Sequence, residues 1–370
     1  MEDIFATGDE LGPLKVIHVQ EPSIGLKATL VIDNVALGPS VGGVRMAPDV
    51  STIECARLAR AMTLKNAAAG LDHGGGKSVL YGDPKMPLEK KEQLIRGMAC
   101  ALREAEQYIF APDMGTEEES MAWIKDEIGR VVGLPCEIGG IPLDQVGATG
   151  WGLSHVTEIA AKHIGMGLEG ARLVVQGFGA VGKNTARFLV EKGAILVATA
   201  DTKGVIYDEN GLDVAELIEL KKEGKSVTES KVGMVLESEK IVDVECDIWV
   251  PAARPDIITE KNMHRLKTKL VVEGANIPIT YGAEKYLHEK GVLCVPDFIA
   301  NAGGVICAAT EYLGKCQKEA FVAIEEKLRA NSSLVLEKSR EKEILPRDAA
   351  IEFAVQRVKK AMGYKRWSLF

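Results

Sequence analysis

A chain of 370 residues, 46% hydrophobic and 26% charged, is long for a single core and suits two domains. Its net charge of −8 speaks against a nucleic-acid groove, which needs a basic face, and no apolar run has the length of a membrane helix. Seven scattered cysteines (55, 100, 136, 246, 294, 307 and 316), with no pair or Cys/His cluster at ligand spacing, imply reduced thiols in a cytoplasm and no metal site.

Met1-Glu2-Asp3-Ile4 is acidic and lacks the basic start and apolar stretch of a signal peptide. Residues 14–20 and 27–33 carry β-type patterns, and Gly38-Pro39-Ser40-Val41-Gly42-Gly43 then breaks regular structure. From Thr52 to Ala69 apolar residues recur at helical spacing, which places Lys65 near a helix end closed by Gly70. Gly74–Gly76 read as a loop leading to Lys77 and a short strand, 78–81, and helices are expected over 88–106 and 117–129. The Gly/Pro-rich stretch 136–142 marks a boundary, with Cys136, like Cys307, expected as small buried filler.

Beyond it a helix over Thr149–His163 precedes short apolar strands at 172–175, 195–200, 248–250, 270–272 and 292–295, separated by helical stretches. That alternation means a parallel sheet. Residues 216–243, rich in Lys and Glu, read as a solvated excursion, and the tail from about 318 is helical. The fold class expected is α/β with an N-terminal α/β substrate and oligomerisation domain, 1–142, and a doubly wound Rossmann domain, 143–331. Helices over 332–370 are expected to pack back on the first domain through Ile351–Val358 and Trp367–Phe370, with the active site in the cleft between the domains.

Two clusters carry chemistry. A lysine behind three glycines, Lys77, lies twelve positions after Lys65, and Asp113 follows in Ala111-Pro112-Asp113. An amine that acts as a base near neutral pH needs burial or a neighbouring cation. Further on, the strand Leu173-Val174-Val175-Gln176 runs into Gly177-Phe178-Gly179-Ala180-Val181-Gly182 and a helix. Its first glycine makes a tight turn, its second admits a pyrophosphate and its third allows helix–strand contact, while the helix offers free N–H groups to the phosphate. Asp201, nineteen residues past Gly182, would bond a ribose 2′-hydroxyl and repel a 2′-phosphate, favouring NAD without excluding NADP. It would otherwise cap the turn Thr202-Lys203-Gly204. Pro251-Ala252-Ala253 and Gly274-Ala275-Asn276 fall at strand ends on the cofactor side, where small residues leave room for a nicotinamide ribose.

These residues, in this order, resemble the amino acid dehydrogenase family that acts on glutamate, leucine, phenylalanine and valine, essentially end to end. Gly25–Ala28 and Thr63–Leu71 are similar to the leucine branch; Ala111–Asp113, Met121–Trp123, Ala148–Gly150 and Val295–Phe298 are similar to the glutamate branch. The strings Val175–Gly179 and Ala300–Val305 are highly specific. The resemblance implies reversible oxidative deamination of an L-amino acid to its 2-oxo acid and ammonium by a nicotinamide cofactor, in a homo-oligomer (hexamer or octamer) with a hinge near 140–150 and 320–335. It further implies that Lys65 holds the substrate α-carboxylate and that Lys77 is the low-pKa lysine assisting water attack on the iminium. Asp113 would shuttle the proton of the substrate nitrogen, Thr149 would contact the nicotinamide carboxamide, and Asn276 would sit between nicotinamide and substrate.

Two positions depart from the glutamate branch. Its side-chain-binding lysine is replaced by Val41, beside Gly42, and its serine by Ala308. With Met62, Ala111 and Val305 these make an apolar pocket, in which a second carboxylate would lose several kcal/mol. An apolar L-amino acid is therefore expected, leucine-, valine- or isoleucine-like or aromatic. Glutamate is the alternative, and a non-catalytic nucleotide-binding regulator a more distant one, since Lys65, Lys77 and Asp113 are all present. His73, before the glycines, would either tune Lys77 by its charge or bond the loop backbone.

Overall fold

The computed structural model describes residues 8–367; Met1–Ile4 and the last three residues of the Trp367–Phe370 segment lie outside them. The chain divides into two compact units: Met1–Leu143 with Val305–Ala320 and Ile351–Phe370, and Asp144–Gly304 with Phe321–Ala350. Segment 305–320, assigned from sequence to the Rossmann domain, thus belongs to the first unit, and 332–350 belongs to the second rather than packing back. The reasons are burial and charge. Glu311 is sunk against the backbone of 133–141, while Arg347 is sunk among Glu273, Glu284 and Asp297.

In the first unit, strands β1 (Lys15–Glu21), β2 (Leu26–Asn34), β3 (Ser40–Ala47), β4 (Gly74–Tyr81) and β5 (Tyr108–Pro112) form one sheet in the order β1-β2-β4-β3-β5. β1, β2 and β4 pair antiparallel, whereas β3 lies parallel to β4 and β5. Helix α1 (Thr52–Ala68), capped by Ser51 accepting from Glu54 N, covers one face through Cys55, Ala56 and Ala59 against Val31, Ala47 and Val79. Helices α2 (Leu88–Ala101) and α3 (Glu118–Ile128) cover the other, where Leu94, Met98 and Ile124 meet Leu30, Met46, Leu80 and Phe110. Such burial, at about 25 cal/mol per Å² of apolar surface, drives the assembly.

Two glycine clusters read as loops are strand. Val41–Gly43 lie within β3, and Gly74–Gly76 open β4 with Lys77 in its middle. The glycines serve close approach: a Cβ at Gly42 would stand 1.9 Å from Gly76 O, and one at Gly75 2.0 Å from Thr63 N of α1. Strand β5 went unread in the sequence, and α2 stops at Ala101 instead of 106.

The second unit begins within α4 (Leu143–Val146) and continues with α5 (Ala148–His163). It then alternates β6 (Arg172–Gln176), α6 (Ala180–Glu191), β7 (Ile195–Asp201), β8 (Gly204–Tyr207), α7 (Val214–Lys222), β9 (Met234–Leu236), β10 (Ile248–Pro251), β11 (Leu270–Val272), α8 (Tyr281–Glu289) and β12 (Leu293–Val295). The sheet order is β12-β11-β10-β6-β7-β8-β9, parallel from β12 to β7, with β8 and β9 added antiparallel. Residues 216–243 are largely solvated, as expected, but not without regular structure: β9 adds an edge strand to the sheet, and Val227, Ile241 and Val242 are buried. The chain ends through α9 (Asp297–Ala300), α10 (Gly303–Tyr312), α11 (Gln317–Lys342) and α12 (Pro346–Met362). Cys136 is exposed, contrary to its expected role as filler, because the turn holding it points outward; Cys307 is buried. No helix among the described residues is long and apolar enough to cross a membrane.

Candidate active site

Strand periodicity sets the first cluster. Because successive side chains alternate faces, Val41, Gly43 and Arg45 of β3 share the α1 face of the sheet with Ala47, and Lys77 of β4 shares it with Val79. Asp113, just past β5, meets Lys77 there: Nζ stands 2.6 Å from Oδ2. Arg45 Nε reaches the same oxygen at 3.2 Å, and its Nη1 holds Glu54 Oε1 of α1 at 2.8 Å. The pair fits only because residue 43 is glycine, where a Cβ would lie 2.6 Å from Asp113 Cβ and 3.3 Å from Lys77 Nζ. Asp113 N donates to Thr116 Oγ1, which donates in turn to Val44 O at 2.8 Å, fixing the turn behind the carboxylate. Burial opposes ionisation of Asp113, but the Lys77 ammonium and the Arg45 guanidinium outweigh it and hold its carboxyl below the usual range.

Beside this pair Val41, Ile109, Val132 and Ala308 form a small apolar cluster, with Ala111 packed against it. Ala308 is held there by its own helix. One turn further along α10, Glu311 accepts N–H bonds from Gly133 (2.8 Å), Leu134 (3.1 Å) and Ile141 (2.9 Å). Met62 and Lys65, on the last turns of α1, and Val305, one turn before Ala308, are half-buried outside the cluster. Gly42 takes part through its carbonyl, which accepts the Tyr108 hydroxyl at 2.6 Å. His73 is buried, its Nδ1 3.2 Å from Pro39 O and its ring edge-on to Tyr312. Burial lowers its pKa, so it is the backbone-bonded loop residue and brings no charge to Lys77 at neutral pH.

In the second unit the dinucleotide turn has the geometry of its motif. Gly177 has φ +99°, a conformation that favours glycine; Gly179 faces open space; and a Cβ on Gly182 would strike Gly177 O at 1.8 Å. Ala180 and Val181 open α6, whose amino terminus points its N–H groups at the turn. A cavity of about 540 Å³ lies over it, lined by Gln176, Gly177, Phe178, Gly179, Asp201 and Ala252 among others. The Phe178 ring is buried, leaving its backbone for the ligand, and Gln176 Oε1 has no hydrogen-bond partner among the described residues. An open glycine, a helix amino terminus and an orphan acceptor fit a dinucleotide.

Asp201 lines this cavity, and its carboxylate also accepts from Lys203 N, Ser226 Oγ, Val227 N and Lys221 Nζ at 2.8–3.0 Å, so it caps the following turn as well. Burial opposes its ionisation, and these donors reverse the effect and keep its pKa low. Lys221 gave no sequence signal, since it sits on α7 among other charged residues, beside Lys222.

Asn276 is exposed, and its Oδ1 accepts from Asn301 Nδ2 at 3.0 Å. Both asparagine loops hang on Arg347, which holds Glu273 (2.9 Å), Glu284 (2.7 Å) and Asp297 (3.0 Å). Burial, together with its bond to Glu284, pushes the Glu273 carboxyl well above the usual range. Thr149 stands in the first turn of α5, against which Gly303 packs.

The chain matches two family models: Glutamate/Leucine/Phenylalanine/Valine dehydrogenase over residues 139–366, and Glu/Leu/Phe/Val dehydrogenase, dimerisation domain, over residues 13–130. It is 38% identical to the glutamate dehydrogenase of Aeropyrum pernix over 358 residues, 90% of this chain and 85% of that protein. Among solved structures it is similar to the hetero-hexameric glutamate dehydrogenase of Thermus thermophilus in its leucine-bound form, with TM-score 0.84 and 29% identity over 96% of this chain and 91% of that one. It is also similar to the L-tryptophan dehydrogenase of Nostoc punctiforme, with TM-score 0.76 and 25% identity over 97% and 99%.

Proposed function

Since the chain belongs to the glutamate/leucine/phenylalanine/valine dehydrogenase family, and is thus an amino acid dehydrogenase using a nicotinamide cofactor, we propose that its substrate is an apolar L-amino acid. The observation that carries this reading is the cluster of Val41, Ile109, Val132 and Ala308 beside the Lys77–Asp113 pair. A carboxylate brought against those side chains would be desolvated with no partner, at a cost of several kcal/mol. An aliphatic or indole side chain would instead gain roughly 25 cal/mol per Å² buried.

In the proposed reaction a nicotinamide cofactor, held by the Gly177–Gly182 turn and the amino terminus of α6, would supply the hydride acceptor for the substrate Cα. Lys65 pairs with the substrate α-carboxylate and fixes the plane of attack. Asp113, ionised between Lys77 and Arg45, takes the proton of the substrate ammonium, so that the free amine can become an iminium. Lys77 then removes a proton from the water that adds to the iminium carbon; Asp113 returns its proton to the nitrogen and, as the C–N bond breaks and ammonia leaves, takes up the hydroxyl proton so that the 2-oxo carbonyl forms. Asn276 and Thr149 orient the nicotinamide end of the site. Each role is carried over from the family resemblance.

NAD is the proposed cofactor, on the ground of charge: Asp201 lines the cavity and repels a 2′-phosphate, although Lys221 offsets part of that repulsion. A homo-oligomer, hexameric or octameric, is proposed from the family resemblance and the dimerisation-domain match, with the hetero-hexameric relative supporting the hexameric size alone. The test is initial rate with NAD and with NADP across leucine, valine, isoleucine, phenylalanine, tryptophan and glutamate. Turnover of apolar amino acids with glutamate near background supports the reading. Preference for glutamate, the activity named for the A. pernix relative, overturns the pocket assignment and leaves the reaction intact.

A further inference from the structure

The spacing Val41-x-Gly43-x-Arg45 puts three residues of β3 in a row on one face: an apolar wall, a gap, and a guanidinium. The gap at Gly43 is filled by Asp113 and Lys77, and Arg45 closes the row at its far end. Both cations converge on Oδ2 of Asp113, and the backbone N–H of Met114 also bonds this carboxylate. A carboxylate held through one oxygen by two donors from two strands has its χ angles fixed, so its other oxygen is presented in one direction. Arg45 is itself aimed, because Glu54 in the first turn of α1 holds Nη1 while Nε faces Asp113. A guanidinium is suited to that position, because its planar fork serves two carboxylates at once and never loses its charge.

We propose that Arg45, steered by Glu54, is the positioning residue that presents the Asp113 carboxylate for proton transfer. The inference rests on the reading of Asp113 as the proton carrier. The charged and titratable groups around that carboxylate are Lys77 from β4, Arg45 and, behind it, Glu54, with Tyr108 from β5 and Cys55 from α1 nearby. Burial keeps the last two neutral, pushing the Tyr108 hydroxyl well up and the Cys55 thiol to about 12. Arg45, whose guanidinium keeps its charge, thus contributes a fixed positive field at Asp113 against one more distant anion, and removing it favours the protonated carboxyl.

The experiment uses the full-length chain with Arg45→Met, Arg45→Lys, Glu54→Gln and Asp113→Asn, each followed through kcat, KM and the pH profile of kcat/KM. Arg45→Met is expected to move the acid limb up by about one pH unit, the effect of one lost charge in a partly solvated site. It should also lower kcat by about tenfold or more, with KM for the amino acid changed much less, as misorientation of a proton carrier requires. Arg45→Lys restores the charge and should return the limb towards wild type. Glu54→Gln should act in the same direction as Arg45→Met, and less. A wild-type limb and kcat in Arg45→Met overturns the proposal; if that variant does not fold, an unchanged profile in Glu54→Gln overturns it. An active Asp113→Asn would instead sink the reading of Asp113 itself, and the proposal with it.

Discussion

Replacing Val41 by lysine converts the apolar wall into the one group that a second substrate carboxylate would need. Val41 is only 7% exposed, and its neighbours Ile109, Val132 and Ala308 offer no hydrogen-bond acceptor in their side chains. Without a partner the new ammonium is desolvated, so the variant should lose several kcal/mol of stability and melt earlier than wild type. Bound glutamate supplies the partner. A charge-assisted hydrogen bond in such a site contributes about 1.5–3 kcal/mol, so the glutamate-to-leucine ratio of kcat/KM should rise roughly 10- to 150-fold. Leucine turnover should fall, because its methyl groups would then face a charge. The assay is kcat/KM for both amino acids at saturating cofactor, with melting temperature measured with and without 2-oxoglutarate. A folded variant whose ratio equals that of wild type would refute the reasoning, since it would mean that residue 41 does not face the substrate side chain.

Three further outcomes are expected. Glu311→Ala leaves three buried N–H groups without acceptors, at about 1–3 kcal/mol each, so the urea midpoint should drop by an amount worth about 3 kcal/mol or more and KM for the amino acid should rise. Lys221→Gln removes the cation that offsets Asp201 at the cavity edge; the NADP-to-NAD ratio of kcat/KM should fall about tenfold, and an unchanged ratio would remove Lys221 from cofactor choice. His155 is buried, neither ring nitrogen has a hydrogen-bond partner among the described residues, and burial with Lys192 depresses its pKa to about 4. The unfolded chain therefore binds this proton first as pH falls below about 6.5, and stability drops between there and about 4, by up to about 3 kcal/mol. His155→Leu should flatten that part of the stability profile, and thermal melts from pH 7 to 4 would show it.

The dinucleotide turn was legible because its three glycines answer three separate steric demands within six residues, and a strand and a helix flank it. The parallel strands themselves were legible for a similar reason, since short apolar runs alternate with helical spacing. Gly42 and Gly75 misled, because a glycine that admits a neighbouring backbone looks in sequence like a glycine that turns the chain. Arg45 and Lys221 were missed because their roles come from partners 68 and 20 residues away, which no local pattern records. Arg347 is the extreme case: an ordinary arginine in a charged tail becomes buried among three acids only once β11, α8 and α9 are in place.

The position of Lys77 inside β4 has a mechanical consequence. That strand is flanked by β2 and β3, with α1 packed over it, so its backbone belongs to the part of the first unit that opens last. Its amide should exchange with solvent only at the rate of global unfolding, while surface turns exchange freely. A residue proposed as a base and mounted there keeps its place through the fast fluctuations that displace loop residues. Heat should therefore silence it by melting the sheet, rather than by loosening the residue beforehand.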